Sequence, residues 1–144
     1  MTLPSDPLAT LIAYLLTNED VSALVGGRIY GGPRPTGSGV AAPVPAISIA
    51  PIGGAPRIDL PLAEVEMDLR CWGGLGPDGP YRAVAIWRAL HAALNVHGRA
   101  IETAHLLWAV EESGPALLQD PDTHETFVRF RVRVATADSP LSAA

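Results

Sequence analysis

The side chains able to make or break a bond are few and poorly spaced for it. His91, His97, His105 and His124 show no i, i+4 pairing on a helix and stand beside no acid in a metal-ligand spacing, so neither a metal centre nor a catalytic histidine is expected. Cys71 falls on the inward side of an alternating segment, where a thiol packs as a small apolar group and keeps its proton. Ser22, Ser38, Ser48, Ser113, Ser139 and Ser142 are scattered, without the turn motif that presents a nucleophile. Glu111 and Glu112 are adjacent where a loop is expected to start. In a strand, neighbours point to opposite faces, so they make a poor acid/base pair. Gly26-Gly27, Gly31-Gly32, Gly53-Gly54 and Gly73-Gly74 lack the spacing and the following Lys-Ser or Lys-Thr of a phosphate-binding loop and read as turn formers. No catalytic residue, metal ligand or cofactor is expected, and the chain does not read as an enzyme.

One arrangement of chemistry-bearing residues does ask for an explanation, and it is electrostatic. Glu64, Glu66 and Asp68 form an acidic row and Arg129, Arg131 and Arg133 a basic row, each on the outward side of an alternating segment. Antiparallel neighbours would set these charges across from one another, at about 0.2 to 1 kcal/mol per pair. The other reading is an interface, because arginine forks recognise carboxylates and Phe127 adds apolar contact beside them. The two readings are compatible. Arg34 and Arg57, in loops rich in Gly and Pro, complete the candidate interface set.

Composition narrows the classes. A net charge of -5 argues against a surface that neutralises phosphates in bulk, and Phe127 and Phe130 are the only aromatics interleaved with the arginine row. A nucleic-acid binder is disfavoured. With 48% hydrophobic and 17% charged residues the chain should fold, and 144 residues is about one domain, expected to have an ordered core over 6–136 and a flexible tail over 137–144. No apolar run reaches the roughly 20 residues that span a bilayer, and Met1 to Pro7 lacks the basic stretch of a signal peptide, so no membrane association is expected. The single cysteine forbids an internal disulfide and fits synthesis in a reducing cytoplasm.

The elements that must position the charge rows are readable from periodicity. Asp6-Pro7 followed by Leu8, Leu11, Ile12, Leu15 and Leu16 predicts a helix over 6–17. A short helical turn from Asn18 to Val25 stops at Gly26, with a brief strand at Ile29-Tyr30. Gly31 to Pro45 reads as a long loop. Ala46 to Ala50 is a short strand bounded by prolines, which suits an edge. Val65, Met67, Leu69 and Cys71 alternate with Glu64, Glu66, Asp68 and Arg70 in the clearest strand. A helix is predicted over 80–95, strands over 106–110 and 127–134, and loops over 73–80 and 114–121. The fold class expected is α+β, a mostly antiparallel sheet of about four strands covered on one face by two helices in the order α-β-β-α-β-β.

The order of these features resembles a known family. Leu8 to Leu16, then Val21-Ser22-Ala23-Leu24-Val25-Gly26-Gly27-Arg28-Ile29-Tyr30, is similar to the opening of the tail-completion, or tail-terminator, proteins of long-tailed bacteriophages and phage-like particles such as gene transfer agents. The likeness continues through Pro45-Ala46-Ile47-Ser48-Ile49, Asp68-Leu69-Arg70-Cys71-Trp72, the Ala-rich segment Tyr81 to Leu94, and Asp120-Pro121-Asp122-Thr123 leading into Phe127 to Val134. It spans about 6 to 135; the loop from Gly31 to Pro45 departs by being richer in Gly and Pro. The resemblance implies a structural virion protein at the tail neck, made in the host cytoplasm. It implies a self-assembled ring, usually of six, on the head-proximal end of the tail tube, meeting the tube protein and the head connector or stopper. DNA passing through its lumen would not be bound specifically. Another neck component, connector or stopper, is the neighbouring reading. From a different class, Trp72, Trp87, Trp108 and Tyr81 could line the pocket of a small-molecule-binding α+β dimer.

Overall fold

The computed structural model describes residues 6–35, 42–56, 62–101 and 104–138. The chain opens with helix α1 (Pro7–Leu16), whose N-terminus is held by Asp6: its carboxylate accepts from the backbone N–H groups of Leu8 and Ala9 at 3.0 and 3.2 Å, and Pro7 occupies the first turn. Asn18 caps the short helix α2 (Glu19–Val25) in the same way, and Gly26, at φ 63°, ends it in the left-handed conformation. The two helices meet at 89°. Asp6→Ala removes two N–H partners at once and is expected to cost about 1 kcal/mol, read as a thermal midpoint lowered by a few degrees.

Strands β1 (Ile29–Gly31), β2 (Ala46–Pro56) and β3 (Leu62–Gly74) precede helix α3 (Gly79–Ala93), and β4 (Val96–Ile101), β5 (Ala104–Gln119) and β6 (Thr126–Asp138) follow it. Together they form one six-stranded sheet in the order β1-β2-β3-β6-β5-β4. Among the described residues only the short β1–β2 pair is parallel. The α+β class and the mostly antiparallel sheet match expectation, whereas among the described residues six strands and three helices replace about four and two. The difference has physical causes. β5 continues through Gly114-Pro115, which read as a loop, because register shifts between Leu106 and Trp108, Glu111 and Ser113, and Ser113 and Ala116 absorb the irregular residues. β2 likewise continues past Pro51 by a shift between Pro51 and Gly53, and beyond β1 it is an edge, where a missing N–H costs no ladder bond. β4 carries no alternation: Asn95 at φ 63° turns the chain out of α3, and Gly98 sits at the same φ inside the strand.

The core lies on one face of the sheet. Met67, Leu69 and Cys71 of β3 and Val128, Phe130, Val132 and Val134 of β6 are buried beneath Leu11 and Leu15 of α1 and Ala83, Ile86 and Leu90 of α3. These are the inward positions that the alternation picks out, and Cys71 among them is fully buried, with burial pushing its thiol far above the ordinary range. α3 lies flush on β3, which is possible only because Gly73 and Gly79 have no side chains where the two backbones meet.

Candidate interaction surface

Among the described residues no helix covers the other face of the sheet, and there the charge rows come together. β3 and β6 are antiparallel neighbours with Glu66 opposite Arg133, Asp68 opposite Arg131 and Arg70 opposite Arg129. The ion pairs run diagonally, one step along the strand, as the twist of the sheet allows. Arg129 reaches Asp68 at 2.7 Å, Arg131 reaches Glu66 at 3.8 Å, and Arg133 spans Glu64 at 3.2 Å and Glu112 of β5 at 2.7 Å. Arg70 also leans on Asp68, at 3.4 Å, so one buried carboxylate relieves the like-charge pair Arg70 and Arg129. The arginines remain between 39% and 48% exposed, so the ladder is paired internally and still open to a neighbour.

At the end of this face nearest α3 the surface becomes aromatic. Phe127 stands outward as the alternation requires, but it is covered: its ring lies 4.6 Å from that of Trp72, with the Arg70 guanidinium 5.3 Å away. Trp72 donates from Nε1 to Ser48 Oγ at 3.0 Å. Arg34 lies over Trp72 at 3.8 Å and forks onto Glu125, Nη1 to Oε1 at 3.0 Å and Nη2 to Oε2 at 2.6 Å, while Nη1 also donates to the Pro43 carbonyl. That fork holds Glu125 below the usual carboxylate range. Arg34, expected at the surface, is thus buried and ties the loop after β1 to the turn before β6. Beside it opens a depression of about 370 Å³ lined by Arg34, Ser48, Asp68, Arg70, Trp72 and Asp120 among others. Arg57, the remaining candidate, lies outside the described residues.

Of the four aromatics considered as pocket walls, Trp72, Tyr81 and Trp87 are not brought together. Trp72 lines the depression on the outer face, Tyr81 lines a groove against α3, and Trp87 Nε1 donates to Glu111 Oε1 at 2.7 Å. Glu111 also meets His91 Nδ1 at 2.7 Å, while Glu112 pairs with Arg133. The two acids therefore serve opposite faces, as expected, although within a strand and not at the start of a loop. Among the described residues no group of three or more His, Cys, Asp or Glu is placed to hold a metal ion, and no single helix is long and apolar enough to cross a membrane. The groove beside α3, with Tyr81 and Leu117, is the feature that sequence reasoning missed; Leu117 lies in the stretch taken for a loop.

A one-sided α+β sheet with an open ionic ladder and exposed apolar ends presents surfaces for contact, which is the class of an assembly subunit. A family model described as "Tail completion protein gp17" matches residues 9–135. The chain belongs to that family, and it is a structural component of the tail, at the neck, of a phage or phage-like virion. No curated protein matches it. Among solved structures, a chain of one described as "Virion of native gene transfer agent (GTA) particle" is similar with a TM-score of 0.66 at 15% identity, covering 92% of this chain and 94% of that one. At that identity the likeness establishes the fold.

Proposed function

We propose that the chain assembles as a ring of six on the head-proximal end of the tail tube, stops tube growth there and joins the tail to the head connector or stopper. The observation that carries this reading is the two-sign ladder on the uncovered sheet face. Glu64, Glu66, Asp68 and Glu112 alternate with Arg70, Arg129, Arg131 and Arg133 in half-exposed pairs, a pattern that can exchange partners with a like surface on a neighbour. The loops over 31–45 and 73–80 are proposed to contact neighbouring subunits or the tube. A net charge of -5 suits a lumen through which DNA slides without being held. The role is one of contact, with no bond made or broken.

Electron microscopy of particles lacking the gene tests the reading: tails of uncontrolled length, or tails without heads, are expected, and infectious particles of normal tail length would overturn it. A finer test is Arg131→Glu, which places a third acid against Asp68 and Glu66. Within the fold this costs about 1 kcal/mol or less. The sedimenting mass of the assembled chain is expected to fall while the thermal midpoint moves by only a few degrees; an unchanged oligomer would remove the ladder from the interface.

A further inference from the structure

The outer stripe of α3 takes no part in the ladder. Tyr81, Val84 and Arg88 recur at i, i+3 and i+7, so they share one side of the helix, opposite the buried Ala83, Ile86 and Leu90. With Pro80, Ala85 and Leu117 they line an open trough of about 460 Å³. Tyr81 is 77% exposed, Val84 36% and Leu117 53%. Arg88 is exposed as well and forms no hydrogen bond or ion pair among the described residues, although Arg28, Arg34, Arg70, Arg82, Arg129, Arg131 and Arg133 are all engaged. An apolar stripe that ends in a free cation is complemented by an apolar stripe that ends in a free acid.

The chain displays such a stripe on α2. Val21 and Val25 are buried, which turns Asp20, Ala23 and Leu24 outward, with Leu24 37% exposed. Asp20 is exposed and, like Glu19 beside it, forms no hydrogen bond or ion pair among the described residues. Asp20 and Leu24 stand one turn apart, at about 6 Å along the axis, and so do Arg88 and Val84. The acid precedes the leucine in α2, whereas the arginine follows the valine in α3, so the stripes match with the two helices antiparallel. Each charge lies on the same side of its helix as its apolar neighbour, and both contacts can form at once. Within one copy both stripes are uncovered, so they do not meet there. They are different parts of the surface, which makes a contact between copies head to tail, and heterologous contacts of this kind generate rings when the rotation closes. We propose that α2 of one copy lies antiparallel along the outer stripe of α3 in the next, with Asp20 on Arg88 and Leu24 against Val84 and Tyr81. This rests on the ring reading and specifies one of its contacts.

The test is made on tails purified with the full-length chain. The double variant Leu24→Cys/Val84→Cys, oxidised in assembled tails, is expected to give a series of linked copies from two up to the whole ring, while either single variant gives nothing beyond a dimer. Native Cys71 is fully buried and does not compete. Asp20→Arg and Arg88→Asp are each expected to lower incorporation into tails at least tenfold, and the two together to restore it, a recovery that two merely misfolded variants would not show. Tails that carry the normal number of copies but give no linked series, with Arg88→Asp incorporated as well as the parent chain, would overturn the docking while leaving the ring intact. A product that joins the chain to a different tail protein would assign the α3 stripe to that partner and overturn the contact between copies. Tails that form normally without the gene would overturn the ring reading, and the docking with it.

Discussion

Replacing Gly73 with alanine is expected to lower the thermal midpoint by roughly 10 °C, from a loss of roughly 3 kcal/mol. The Cβ would press into the Gly79 carbonyl oxygen and stand 2.7 Å from the Ala83 nitrogen and 3.0 Å from its Cβ. These are mostly backbone atoms, so no side chain can rotate away, and relief requires the first turn of α3 to lift from β3. Arg82 resists that movement by donating to the carbonyls of Gly73 at 2.7 Å and Leu75 at 2.9 Å. Gly53→Ala is the control, since a Cβ there meets nothing within 4 Å and the residue needs no positive φ. Its midpoint should stay within a degree or two. Differential scanning calorimetry of both variants decides the matter, and equal midpoints would show that α3 is not seated as described.

Arg34→Ala is expected to be comparably severe, at about 3 to 5 kcal/mol, because it strands a buried carboxylate. The side chains of Arg34 and Glu125 are only 7% and 10% exposed. Losing the guanidinium removes a bidentate pair, a hydrogen bond to Pro43 and the contact over Trp72. Arg34→Lys should rescue little, since an ammonium cannot fork or stack. The pair also sets a pH dependence. Glu125 is held below its ordinary 4.5, chiefly by the hydrogen bond from Arg34. A depressed folded value means that the contribution is complete above about 4.5 and drains away as pH falls below it through the folded value. Asp120 is lowered too, first by the Thr123 backbone N–H and then by that of Asp122, so it has the same sign. Comparing denaturation of parent and Arg34→Ala at pH 7 and pH 3 isolates Glu125: the gap between them should shrink in acid, and a constant gap would refute the assignment.

The legible parts of the fold were those governed by strict periods. β3 and β6 alternate without interruption, so their inward residues and their outward charge rows follow from a period of two, whereas their pairing, left open by the pattern, is settled by the register. The helix limits followed from Asp6, Asn18 and Gly26. β4 and the far half of β5 were not legible, because bulges at Glu111–Ser113 and Ser113–Ala116 break the period while preserving the ladder. The fork between Arg34 and Glu125 joins residues 91 apart, and nothing local marks such a pair. The groove followed the same fate, since Leu117 reads as loop until the strand around it is seen.

Contacts made through the ladder and contacts made through the apolar groove would respond oppositely to ionic strength. At about 1 M monovalent salt the screening length falls to ~3 Å, shorter than the 3.8 Å between Arg131 and Glu66, so contacts made through that face should loosen in brine. Apolar docking is unaffected by screening and is tightened by sulfate. Particles whose subunits are joined mainly through the ladder would shed their necks in concentrated sodium chloride, whereas those joined through apolar contacts would survive it and hold harder in ammonium sulfate.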